Sequence, residues 1–242
     1  MRLPAAGSRR RSSHSLNCRK GRPSLDGEAS PGVRIILASA SPRREALLKQ
    51  IGVPFRVMPS RVSEEKAGRL GDPGSFVERA ALAKAEDVAA RVARGLVLGA
   101  DTVVVVGREI LGKPSSPADA QRMLERLSGV THRVYTGLAL VQTENRRVIH
   151  KRTAHELTRV TMRRLRPDDI AGYVATGEPL DKAGAYGIQG RGAMLVARVE
   201  GCYFNVVGLP LVRLAEMFTE FGVDVWQTAR NDRLTSHARE RR

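Results

Sequence analysis

The chain has 242 residues, 42% of them hydrophobic and 27% charged. That balance suits a globular protein with a sizeable core in one large domain or two small ones, and no apolar run nears the ~20 residues of a membrane helix. Cys18 and Cys202 lie far apart, which excludes a disulfide framework or a metal knuckle and points to a reducing cytoplasm.

The net charge is +16, and half of it sits in two tails. Residues 1–32 hold seven Lys/Arg against two Asp/Glu, and residues 227–242 hold five Arg against Asp232 and Glu240. Neither run interleaves aromatic residues, so solvated tails are expected rather than nucleic-acid binding. Residues 1–32 are rich in Arg, Ser, Gly and Pro without apolar periodicity. They read as a disordered basic extension that superficially resembles an organelle transit peptide. Residues 227–242 read as a second disordered tail.

Order is expected from 33 to 226, with no internal repeat and no linker. Val33 to Ser39 reads as a buried strand. Ser41 and Pro42 suit the cap and first position of a helix that Gly52 ends. "PFRVMPSRV" (54–62) reads as a second strand. A strong helix is expected from near Pro73 to near Gly95, then the apolar strand "GLVLGADTVVVV" (95–106). Ser116 and Pro117 open another helix. Val134 to Val141 and Val148 to Met162 read as long strands around the turn "TENRR". "RPDDIAGYVATG" (166–177) is a short helix. "YFNVVGLPLVRLAEMFTEFG" (203–222) is read as the end of a strand and a last helix starting near Pro210. Strands and helices mix without strict alternation, so the expected fold class is mixed α/β in a single domain.

Three stretches carry candidate chemistry. "SASPRR" (39–44) places Arg43 and Arg44 at a helix start, where the dipole favours anions. It is either a phosphate cradle built with Ser39 and Ser41, or a capped helix with two solvated arginines. In "GADTVVVVGREILGKP" (99–114), Asp101 lies inside an apolar strand, where an unpaired carboxylate is costly. It reads as a metal ligand or general base, with Thr102 beside it and Lys113 returning after a tight turn. "TGEPLDKAGAYGIQGRGA" (176–193) sets Glu178, Asp181, Lys182, Tyr186 and Gln189 among five glycines. Glycines let backbone approach a ligand closely. The stretch is neither a Walker loop nor a dinucleotide fingerprint. Glu64 and Lys84 are by default solvated charges, and His132 and Trp226 have packing or surface roles. Together the three stretches point to a metal-assisted reaction on a phosphorylated substrate.

"LASASPRREALL", "GADTVV", "LGKP", "LSGVTHRVYTG", "GEPLDKAGAYGIQGRGA" and "NVVGLPL", in this order, closely resemble the Maf family of nucleoside triphosphate pyrophosphatases. The resemblance covers roughly Val33 to Val225. It implies two lobes around a deep cleft, akin to inosine triphosphate pyrophosphatases, and hydrolysis of a triphosphate to the monophosphate and pyrophosphate with Mg²⁺ or Mn²⁺. It implies that Asp101 accepts the proton of the attacking water and that Arg43, Thr102 and Gln189 set base specificity. Ser39, Arg44, Lys84, Lys113 and Lys182 match phosphate- and substrate-binding positions, and Glu64, Asp101 and Asp181 match metal positions. The motifs S-P-R-R, A-D-T and D-K-A-G-A-Y-G-I-Q-G resemble the dTTP/UTP branch rather than the 7-methyl-GTP branch. A homodimer is expected, as are a nucleoside triphosphate as the only other partner and no membrane. The alternative class is a nucleotide-binding regulator of cell division without turnover.

A segment that buries no apolar surface cannot offset an ordering entropy of ~1–2 kcal/mol per residue. Deleting residues 1–32 is therefore expected to leave melting temperature and dTTP turnover unchanged. A loss of several degrees, or of turnover, would place the domain boundary elsewhere.

Overall fold

The computed structural model describes residues 33–62 and 71–226. Both tails of the sequence reading and Glu64 lie outside these residues.

One seven-stranded mixed sheet organises the chain, in the order β2-β1-β3-β5-β6-β7, with β4 on the far end of β3. The strands are β1 (Ile35–Leu37), β2 (Phe55–Val57), β3 (Arg94–Val106), β4 (Glu109–Leu111), β5 (Thr131–Glu144), β6 (Arg147–Met162) and β7 (Val196–Glu200). β1 runs parallel to β2 and β3. The β3–β5, β5–β6 and β6–β7 pairs are antiparallel. The helices are α1 (Pro42–Gln50), α2 (Pro73–Ala89), α3 (Pro117–Leu127), α4 (Pro167–Ala175), α5 (Tyr203–Val207) and α6 (Leu211–Glu220).

Strand alternation sends neighbouring residues to opposite faces. Leu37, Leu98, Leu138 and Leu140 pack with Leu48 of α1 and Phe218 of α6. Ile36, Val97, Ala139 and Val141 pack with Ala81, Ala85 and Val88 of α2. The small residues of α2 bring it unusually close to the sheet. A Cβ on Gly99 would lie 2.1 Å from the Ala81 carbonyl oxygen, and one on Gly137 would lie 2.2 Å from that of Val77. Both contacts are to backbone, which cannot step aside.

Most expected elements are present, with five differences. β1 and β2 are three residues each, short of the expected 33–39 and 54–62, because only those residues pair in register with a neighbouring strand. α2 starts at Pro73 behind its cap Asp72, whose carboxylate accepts from the amides of Gly74 and Ser75. It ends at Ala89, short of Gly95, because Arg94 and Gly95 already pair with Glu144 and Thr143 in the sheet. The β5–β6 strands outrun their apolar stretches because the ladder continues to a two-residue turn. Asn145 and Arg146 have φ of 51° and 61°, which the right-handed twist of a hairpin requires. The short β4, not anticipated, doubles back on β3 after Gly107. The stretch 203–222 starts with α5 rather than with a strand end; the strand lies upstream, as β7. Asn205 explains the helix: its side-chain amide donates to the Val134 carbonyl and the Thr158 hydroxyl, pinning that turn onto β5 and β6.

Among the described residues no helix is long and apolar enough to cross a membrane. The α2 contact gives a direct test. Gly137→Ala should destabilise by about 1–3 kcal/mol, the usual range for overpacking. That corresponds to a fall in melting temperature of several degrees, measurable by thermal denaturation. An unchanged melting temperature would mean that α2 does not rest on β5.

Candidate active site

A cleft of 1490 Å³ opens beside the sheet. Its lining contains Ser39, Arg43, Arg44, Lys84, Asp101, Thr102, Lys113, Asp181, Lys182 and Gln189, ten of the eleven residues that the family resemblance implies, and also Ser41 and Tyr186 but not Glu178. The eleventh, Glu64, lies outside the described residues.

Asp101 sits on the floor, on the central strand β3. Its Oδ1 accepts from Lys84 Nζ at 2.6 Å, with both side chains largely buried. Lys84 reaches it from α2, so the close packing of that helix on Gly99 and Gly137 sets this pair. Asp101 Oδ2 takes no hydrogen bond among the described residues. Lys84 is therefore no solvated surface charge.

The two arginines at the start of α1 part company. Arg43 crosses the cleft and donates to Asp181 at 3.1 Å. Arg44 turns to the floor, where its Nε donates to the Gly208 carbonyl at 2.8 Å. Its Nη1 donates to Ser39 Oγ at 3.2 Å and its Nη2 to Thr102 Oγ1 at 3.0 Å. The Asp181 carboxylate thus supplies a negative charge opposite Arg43, while Arg44 meets neutral acceptors only among these partners. Ser41 is the cap residue, but its side chain makes no capping bond, and its own amide donates to Ser39 Oγ. The start of α1 lines the cleft, and a helix N-terminus there favours an anion.

The glycine-rich stretch forms the opposite wall as consecutive 3₁₀ turns. Lys182 Nζ donates to Asp181 Oδ1 at 2.6 Å and to the Glu178 carbonyl. A Cβ on Gly187 would lie 2.9 Å from Lys182 Cε, so glycine leaves room for that side chain. Burial raises the Asp181 carboxyl, but hydrogen bonds from Lys182 and Arg43 more than offset this and hold it below the usual range. Glu178 ties the loop together: it accepts from the amides of Arg191 and Gly192 and from the Tyr173 hydroxyl. Its pKa is also lowered, as those bonds outweigh the effect of burial.

Behind this wall, His132 is buried and its Nε2 is 2.7 Å from the Tyr186 hydroxyl. Burial lowers the His132 pKa to about 4 and raises that of Tyr186. The sequence reading missed two further supports, Thr136 and Asn205, both fully buried. Their only signal was a polar residue inside the apolar stretches of β5 and "FNVVG".

Among the described residues no group of three or more His, Cys, Asp or Glu could hold a metal ion. Four carboxylates line the cleft, those of Asp101, Glu109, Asp119 and Asp181, each paired with a cation; Asp101 and Asp181 are the two among the residues that the resemblance implies. Such a set fits Mg²⁺ or Mn²⁺, hard ions that take one or two carboxylates and complete their shell with water and substrate phosphates. It does not fit a caged zinc site.

Residues 34–221 match the model of a family described as Maf-like protein. A "dTTP/UTP pyrophosphatase" of Moorella thermoacetica is 60% identical over 195 residues, covering 80% of this chain and 97% of that protein. One of Symbiobacterium thermophilum is 51% identical over 193 residues, covering 80% and 96%. Among solved structures, a HAM1 protein from Coxiella burnetii is 18% identical with a TM-score of 0.40, covering 55% of this chain and 74% of that one. A likeness of that size adds no argument.

The buried His132 gives a pH test of the wall. Its pKa in the fold, about 4, lies below the ordinary 6.5, so between these values the unfolded chain binds a proton that the native one does not. Stability should therefore fall as pH drops from about 6.5 to about 4. His132→Gln should flatten that part of the denaturation profile; an unaltered slope would contradict the assignment.

Proposed function

The chain belongs to the Maf family, and from that premise we propose that it hydrolyses dTTP and UTP, or modified pyrimidine nucleotides, to the monophosphate and pyrophosphate. The observation that carries the reading is Asp101 on a rigid central strand, held by Lys84 at 2.6 Å on the floor of a cationic cleft. The relatives, dTTP/UTP pyrophosphatases by name, support the same substrates and an enzyme rather than a nucleotide-sensing regulator. The proposed setting is the cytoplasm, and the proposed assembly a homodimer.

In this mechanism Asp101 is the general base. Lys84 fixes the carboxylate through Oδ1, so that Oδ2 takes the proton of the attacking water. Arg44, Lys113, Lys182 and Ser39 receive the triphosphate, with the amides at the start of α1. Arg44, Ser39 and Lys182 are held before substrate arrives, so little reorganisation accompanies the build-up of charge on the leaving pyrophosphate. A divalent ion bound by Asp101 and Asp181 would neutralise phosphate charge and polarise the scissile group. Glu64 is proposed as a third metal position. Arg43, Thr102 and Gln189 are proposed to read the base, with the Gln189 amide matching the carbonyl and imide edge of thymine or uracil.

Asp101→Asn should keep the fold and much of the nucleotide affinity, yet lose about 10²–10⁴-fold in turnover, because an amide cannot accept the water's proton. Wild-type-like hydrolysis by the folded variant would remove Asp101 as base. Gln189→Ala should flatten the preference for dTTP over purine triphosphates more than it lowers maximal turnover. A substrate panel checks this, and equal use of dTTP and 7-methyl-GTP by the wild type would contradict the branch.

A further inference from the structure

The hydroxyls beneath the cleft form a chain whose proton directions are fixed. Thr136 Oγ1 lies 2.9 Å from the backbone carbonyl of Asn205, a group that only accepts. The single hydroxyl proton of Thr136 is therefore committed to that carbonyl. Thr102 Oγ1 is 2.9 Å from Thr136 Oγ1, so in this pair Thr102 must donate. Arg44 Nη2, which only donates, already points one proton at Thr102 Oγ1 from 3.0 Å. A hydroxyl has one proton and two lone pairs. After these bonds Thr102 retains one lone pair and no proton, so towards a ligand it can only accept.

Ser39 is fixed the opposite way. Its Oγ accepts from Arg44 Nη1 and from the Ser41 amide, each at 3.2 Å. Both lone pairs are used, which leaves its proton to donate. Arg44 therefore stands between a donor-only and an acceptor-only hydroxyl. The first suits a phosphate oxygen.

The anchor of the chain is rigid. Asn205 and Thr136 are fully buried. The Asn205 side chain donates to the Val134 carbonyl at 3.0 Å and to Thr158 Oγ1 at 2.9 Å. Thr158 in turn donates to the Cys202 carbonyl, so it too has a fixed direction.

We propose that Thr136, held by the Asn205 carbonyl, is a specificity-determining positioning residue that locks Thr102 as an acceptor and so selects a base with an N–H at N3. The inference rests on the proposed function, in which Thr102 faces the base. Thymine and uracil carry a proton on N3; cytosine has a lone pair there. The Gln189 amide cannot make this distinction, since rotation exchanges its donor and acceptor ends. A threonine whose proton is already spent can.

The test compares kcat/KM for dTTP and dCTP in wild type, Thr136→Val, Thr136→Ala and Thr136→Ser, with melting curves for each. In the Val and Ala variants Thr102 loses its acceptor below and can turn its proton to cytosine. The dTTP:dCTP ratio should fall roughly tenfold, the scale of one hydrogen bond, mainly through a gain on dCTP. Thr136→Ser keeps the hydroxyl and should keep the ratio. Folded Val and Ala variants with the wild-type ratio would overturn the inference while leaving the pyrophosphatase reading intact. If the wild type hydrolyses no pyrimidine triphosphate, the functional reading itself fails, and the inference with it. N3-methyl-dTTP gives an arm that needs no variant. The wild type should use it at least about tenfold less well than dTTP, and equal use would overturn the inference.

Discussion

The site depends on how closely α2 can approach the sheet. Two glycines, Gly99 on β3 and Gly137 on β5, present bare backbone to the carbonyls of Ala81 and Val77. With a methyl group at either position the helix would have to lift away. Lys84, one turn after Ala81, meets Asp101 only because the helix lies so low. A lysine on a helix set further out would still find water, and Asp101 would stand in an apolar strand without a counter-charge, a costly arrangement.

The electrostatics of the cleft follow from that packing. Asp101 and Asp181 are each compensated by side chains from another element, Lys84 for the first and Arg43 for the second. Arg44 is anchored by a carbonyl and two hydroxyls. None of these groups has to be recruited when a polyanion enters, and an excess of lysine and arginine remains to meet it. The same network sets the proton directions of Ser39 and Thr102. Rigidity and recognition thus share one set of hydrogen bonds, rooted in the buried Asn205 and Thr136.

Much of this was legible in the sequence, for physical reasons. Ser116-Pro117 and Pro73 start helices because their chemistry fits the first turn, and the apolar run around Asp101 fixes a buried strand whose one acid needs a partner. "TENRR" announces a turn. The identity of the partners was not legible. Lys84 looks like any helical lysine until Gly99 and Gly137 are seen beneath it. Glu178, one of the candidate residues of the glycine stretch, instead ties two amides of its own loop and the Tyr173 hydroxyl of α4. Asn205 turns an apolar stretch into α5 where periodicity suggested the end of a strand, because two side-chain bonds to β5 and β6 outweigh local propensity. Long-range pairing of this kind leaves no periodic trace.

The central claim is that Asp101 delivers water to the α-phosphorus of a bound triphosphate. Hydrolysis of dTTP in ¹⁸O-labelled water, followed by mass spectrometry of the products, tests it most directly. The account predicts one ¹⁸O in the monophosphate and none in the pyrophosphate. Label in the pyrophosphate would mean attack at the β-phosphorus, and labelled orthophosphate attack at the γ-phosphorus; either would contradict it.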